Sequence, residues 1–166
     1  MTWIWWAPLC AAVLHILEEF AFPGGFPAWD RMYRASIRAS ITPRLHILMN
    51  GLLLFACTAV GLTISGGRVV APWSYERGVA AWLTLAALLF SNALFHLVGT
   101  IQTRRYSPGL VTGVAFYVPM TVLGYWHFLS SGEASGATAA MAALLGGSYH
   151  AWMSIVHRLR AGSSRA

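Results

Sequence analysis

A histidine followed three and four residues later by glutamates, His15 with Glu18 and Glu19, stands near the end of the first apolar run of this 166-residue chain. On a helix such spacings share a face, so both carboxylates are expected to flank the imidazole. Imidazole nitrogen and carboxylate oxygen are the usual ligands of zinc and non-haem iron, and the same groups move protons in acid–base chemistry. In lipid their desolvation is costly unless partners or an ion offset it, so such a cluster marks a functional site. The position of Glu19 is not a second histidine, which separates the motif from the zinc-protease helix.

Similar groups recur four apart, as His46 with Asn50 and Asn92 with His96, and His150 lies near the end of the last apolar run. The expected metal ligands are His15, Glu19, His96 and His150, around one divalent ion, Zn or Fe. Two carboxylates would balance its charge, whereas the dinuclear carboxylate bundles use about four. Glu18, His46 and Asn92 are expected as catalytic groups, with Asn50 supporting a ligand or a substrate oxygen from behind. Arg104, Arg105 and Tyr106 read either as a stop signal before a turn or as a clamp for a headgroup phosphate or anionic substrate. Each residue also has a purely structural reading: a histidine bonded to its neighbour, or an asparagine joining two helices. Cys10 and Cys57 lack paired spacing and read as packed thiols.

These residues need a membrane scaffold. The chain is 57% hydrophobic and 10% charged, with a mean hydropathy of +0.60, too apolar for a soluble domain of this size. All 11 basic residues are arginine against five acids, giving +6 and a pI near 10.0. The arginines fall between apolar runs, so they read as topology signals at an anionic membrane surface and not as a nucleic-acid face.

The expected fold is an all-α bundle of five transmembrane helices over residues 3–22, 44–64, 75–102, 110–129 and 137–157, one domain spanning 1–158, with a short polar tail at 159–166. Each span approaches the roughly 20 residues that cross the hydrocarbon core. Trp3, Trp5 and Trp6 suggest an interfacial anchor, and Phe22-Pro-Gly-Gly-Phe-Pro27 ends the first span. Met1 to Phe22 lacks a basic n-region and carries two acids, so it reads as a membrane helix and not as a cleaved signal. Residues 28–41 place Arg31, Arg34 and Arg38 opposite Trp29, Met32, Tyr33 and Ile37, as in a helix lying among headgroups. Pro119 suggests a kink in span four, and Ala139, Ala143, Gly146 and Gly147 a close helix approach in span five.

Arginine counts set the orientation. Arg31, Arg34, Arg38, Arg44, Arg104, Arg105, Arg158, Arg160 and Arg165 fall on one side, against Arg68 and Arg77 on the other. The excess marks the cytoplasmic side, which puts the N-terminus outside and the C-terminus in the cytoplasm of a bacterial inner-membrane protein. With that alternation, His15, Glu18, Glu19, His46, Asn50, Asn92, His96 and His150 all lie at one depth, in the cytoplasmic half. His127 falls at the other end, in the outer aromatic belt.

His15-Ile-Leu-Glu-Glu19, Asn92-Ala-Leu-Phe-His96 and Tyr106-Ser-Pro-Gly109 resemble, in order and separation, the motifs of the HXXEE-domain membrane proteins. The resemblance covers roughly residues 5–155 and implies a small bacterial multi-span protein with an enzymatic or metal-binding role. The expected function is a metal-dependent membrane enzyme, a hydrolase or oxidase, acting on a lipid or other hydrophobic small molecule. The alternatives are a metal-free acid–base isomerase of a sterol- or terpenoid-like substrate, and an ion- or proton-coupled carrier or small binding protein. A homodimer would supply the polar pathway that a single chain lacks for the carrier.

Overall fold

The computed structural model describes residues 2–35, 41–65, 68–69, 74–152 and 155. It is helical, apart from a two-residue hairpin in which β1 (Ile64–Ser65) pairs antiparallel with β2 (Arg68–Val69). A 3-10 turn (Thr2–Trp5) leads into α1 (Ala7–Ala21), followed by α2 (Gly25–Arg34), α3 (Pro43–Gly61) and α4 (Tyr75–Thr103). The short α5 (Leu110–Thr112) runs through a π-helical turn (Gly113–Tyr117) into α6 (Val118–Ser130), and α7 (Gly136–Gly147) follows. Among the described residues three helical stretches are long and apolar enough to cross a membrane: Trp3–Ala21, Pro43–Gly61 and Tyr75–Thr103. The fourth and fifth expected spans are also helical, through α5 to α6 and α7, with helix resuming at 149–152. Residues 153–154 and 156–157 of span five, the tail at 159–166, and Ile37 and Arg38 lie outside the described residues.

The chain's start signals work locally. Thr42 accepts from the Leu45 amide in front of Pro43, and Ser74 and Ser135 cap α4 and α7 in the same manner. The predicted end of span two at residue 64 is too late, because helix stops at Gly61 and Ile64 enters the hairpin. Pro119 exerts its effect one turn early: the Val118 amide reaches back five residues to the Gly113 carbonyl, opening the π turn just before the residue that has no N–H.

Helix α4 is the axis of the structure and packs against α1, α2, α3, α6 and α7. Val79, Trp82, Leu83, Ala86 and Leu89 form its fully buried side. In α7 the close approach uses Ala139, Ala142 and Gly146, while Ala143 and Gly147 face outward. A Cβ on Gly146 would stand 2.1 Å from the Thr84 carbonyl oxygen, so only glycine admits this contact.

Two expectations are corrected here. Trp5 is buried against Tyr75 and Phe128, and the indole N–H of Trp82 donates to the Ile4 carbonyl at 2.9 Å, so the first turn is core and only Trp3 stands out as an exposed aromatic. In α2 the arginines do not share an exposed face: Arg31 is exposed but Arg34 is buried, bonding Gln102 at 3.1 Å and lying over the Phe95 ring. Hydrophobic periodicity placed the guanidinium at the surface, but a glycine at position 99 leaves room for it beside α4. Elsewhere the outward faces are apolar, with Val13, Leu14, Leu17 and Phe20 on α1 and Ile47, Leu48, Leu52 and Phe55 on α3 exposed. Contiguous apolar surface of this kind suits lipid and not water.

Candidate functional site

Helix α1 presents His15 and Glu19 one turn apart, α3 presents His46 and Asn50, and α4 presents Asn92 and His96, each pair on one face for the same reason. All six meet. Glu19 is buried at their centre: its Oε2 lies 2.9 Å from His46 Nε2 and accepts from the Asn50 amide at 3.3 Å. Its Oε1 faces the other two imidazoles, 3.6 Å from His15 Nε2 and 3.3 Å from His96 Nε2. Asn92 Nδ2 lies 2.9 Å from His15 Nε2. The three groups His15, Glu19 and His96 each offer a ligand atom within 4.8 Å of the others.

Hydrogen bonding assigns the tautomer of His15. Thr112 directs its hydroxyl hydrogen to Glu18, so its oxygen accepts from His15 Nδ1, 3.1 Å away, which leaves a lone pair on Nε2. His96 Nδ1 meets the Ser107 hydroxyl at 3.0 Å, while its buried Nε2 lies 3.3 Å from Glu19 Oε1 and makes no well-directed hydrogen bond among the described residues. Where each Nδ1 carries the hydrogen, Nε2 of both rings and a carboxylate oxygen converge in a buried space, and the His15 Nε2 lone pair accepts from the Asn92 amide, a bond that an ion would replace. That is the donor set a cation resolves. Tetrahedral zinc with bonds of about 2.0–2.1 Å separates its ligands by roughly 3.3 Å, close to the two carboxylate–imidazole distances of 3.6 and 3.3 Å here.

Glu18 turns the other way. It accepts backbone N–H bonds from Gly109 at 2.9 Å, Val111 at 3.1 Å and Thr112 at 2.7 Å, and hydroxyl bonds from Tyr106 and Thr112. It therefore caps the helix that starts at Leu110 and pins the 106–112 turn across α1. Burial and the adjacent Glu18 carboxylate push the Tyr106 phenol up to about 12, so it remains a donor throughout the physiological range. Arg104 and Arg105 are exposed, the latter over the Tyr33 ring.

His150 lies outside the three-residue group. It stacks on Phe95 with ring centroids 4.5 Å apart and lines a cavity shared with Glu19, His46, Asn50 and Asn92. His127 sits elsewhere, 3.9 Å from Glu133, whose carboxyl is lowered chiefly by the Tyr75 hydroxyl.

Thr112 and Tyr117 escaped the sequence reading of the site, and Ser107 and Gly109 entered it only as part of the Tyr106-Ser-Pro-Gly109 motif, with no role assigned. Gly109 has φ +99°, and a Cβ there would stand 2.7 Å from His15 Cε1 and 2.8 Å from His96 Cε1. The Pro-Gly pair signals a turn, but nothing local signals that the turn lies against two imidazoles. Tyr117 is fully buried with its ring 4.6 Å from that of His15, and its hydroxyl has no partner. The π turn that presents it is a frequent accompaniment of functional sites.

Helices of membrane-spanning length around a buried His/Glu cluster define a class, a helical protein with a polar site inside an apolar bundle. Residues 6–124 match the model of the family described as protein of unknown function with HXXEE motif, and the chain belongs to that family. It is also 25% identical over 116 residues to the uncharacterized protein YrkK of Bacillus subtilis (strain 168), covering 68% of this chain and 66%, just under two thirds, of that protein. No solved structure gives a significant match.

Proposed function

We propose that this protein is a metal-dependent integral membrane enzyme in which His15, Glu19 and His96 hold one divalent ion, zinc or iron. The observation that carries this reading is the convergence of His15 Nε2, His96 Nε2 and Glu19 Oε1, all buried, with His96 Nε2 making no well-directed hydrogen bond among the described residues. Two histidines and one carboxylate leave coordination positions open, the arrangement of catalytic and not of structural sites. The ion would supply Lewis acidity to a substrate oxygen or to water.

The chain's own groups do the rest. His46 and Asn50 hold Glu19 Oε2 so that Oε1 stays toward the imidazoles, and His46 is the group placed to move a proton. Asn92 orients a substrate oxygen. Glu18, through Thr112, fixes the His15 tautomer, and Ser107 holds the His96 ring. His150 and Phe95 form a wall of the substrate space. Arg104 and Arg105 remain candidates for headgroup contact at the membrane surface.

Elemental analysis of the detergent-purified protein beside His15→Ala and His96→Ala tests the centre. One zinc or iron per chain, lost from both variants, is expected; a wild-type protein that stays metal-free after incubation with Zn²⁺ or Fe²⁺ overturns it.

We further propose a five-span inner-membrane topology with the N-terminus outside and the C-terminus in the cytoplasm, supported by the arginine distribution and by helix in all five segments. Phosphatase and fluorescent-protein fusions at the C-terminus test it. Fluorescence without phosphatase activity is expected, and the reverse pattern refutes the topology.

A further inference from the structure

The cavity beside the cluster has a volume of about 260 Å³ and lies chiefly between α3 and α4. Its polar end is formed by Glu19, His46, Asn50 and Asn92. From there it extends past Leu53 and Ala56 on α3 and past Leu88 and Leu85 on α4. Asn50 to Ala56 is about 9 Å along a helix and Asn92 to Leu85 about 10 Å, at ~1.5 Å per residue. The two helices thus wall the same apolar slot in opposite chain directions.

We propose that this slot binds a single alkyl chain whose uncharged head, a hydroxyl or primary amide, donates to the Asn50 side-chain carbonyl and accepts from the remaining N–H of Asn92, since the Asn50 amide nitrogen is already engaged by Glu19 and His46. Size excludes the larger lipids as full occupants: a cavity of about 150 Å³ holds benzene, so 260 Å³ takes roughly ten non-hydrogen atoms, too few for a sterol or a two-chain lipid. Charge selects the head. Among the described lining residues none is arginine, and a divalent ion held by one carboxylate and two neutral imidazoles keeps a net charge of only about +1 against the roughly −2 of a phosphate monoester, so a phosphate head would lack a full counter-charge. The inference rests on the cluster being the reactive end of the site and adds the molecule that reaches it.

The test uses the full-length protein in phosphatidylcholine nanodiscs and a decanol carrying a photoreactive diazirine. Labelling within α3 and α4 is expected, with 1-decanol competing at about tenfold lower concentration than decyl phosphate. Ala56→Phe and, separately, Leu88→Trp fill the slot and should cut labelling about tenfold or more while metal content and monodispersity are retained. Equal competition by decyl phosphate, or labelling untouched by both variants, overturns the proposal. Metal content measured on the same wild-type sample separates it from the metal reading: labelling of a protein shown to be metal-free removes the metal and keeps the slot, and a metal-loaded protein that is not labelled does the opposite.

Discussion

Gly109→Ala is expected to disable the site more completely than loss of any one imidazole. The backbone at this position has φ +99°, where an L side chain adds strain of about 1–3 kcal/mol. The new methyl would also stand 2.7 Å from His15 Cε1 and 2.9 Å from His96 Nε2, so the two rings must separate or the turn must lift. Overpacking of this kind costs about 1–3 kcal/mol more. Both routes break the same set of bonds, because the turn that carries Gly109 also donates to Glu18 and supplies Ser107 to His96. Thermal unfolding in detergent should show a clear drop in midpoint, and metal content should fall with it. A Gly109→Ala protein with wild-type midpoint and metal content would falsify the packing described for this turn.

The two adjacent glutamates should fail in different ways. Glu19→Gln keeps the volume but removes the anionic oxygen that faces His15 and His96, so the metal should be lost. Its metal-free form should be about as stable as wild type treated with chelator, since a buried charge has also been removed. Glu18→Gln instead puts an amide group among five donors, three backbone and two hydroxyl. Charge-assisted bonds are replaced by weaker or repulsive contacts, with an expected loss of roughly 3 kcal/mol. Metal should persist but bind about 10–100-fold more weakly, as is usual when the group behind a ligand is removed. Metal titrations and unfolding midpoints with and without chelator read the two effects separately. The same phenotype in both variants would contradict this division of labour.

The contrast between Glu18 and Glu19 also marks how far sequence spacing reaches. Six chemistry-bearing residues that come together, His15, Glu19, His46, Asn50, Asn92 and His96, stand out as polar groups in apolar runs, in pairs one helical turn apart. Their meeting was expected from an alternating direction of the runs. His150 was assigned to the ligands by the same logic, yet it stacks on Phe95, because depth fixes height along the bundle and not the side chain's direction. Arg34 was assigned to the interface by helical periodicity and Trp5 by its place at the start of an apolar run, and both are buried by neighbours distant in the chain.

Apolar helices of membrane length and the partnership of histidine, glutamate and asparagine were therefore readable from local order, since hydropathy and the i, i+4 period belong to each segment independently. Glu19, one full turn from His15, was expected beside the imidazoles, but that Glu18 leaves them to cap a distant turn was not readable. Successive residues on a helix point about 100° apart, so Glu18 and Glu19 serve different neighbours, and the choice depends on how α1 is rotated against α3 and α4. Docking of the 106–112 turn completes that choice by gathering donors around Glu18 and by laying Gly109 on the two rings. The backbone donors to Glu18 come from residues 91 to 94 positions away and the partners of Glu19 on α3 from 27 and 31 positions away, and no local pattern encodes them. The Glu18 and Glu19 of one short motif thus become, only in the folded bundle, a cap and a candidate ligand.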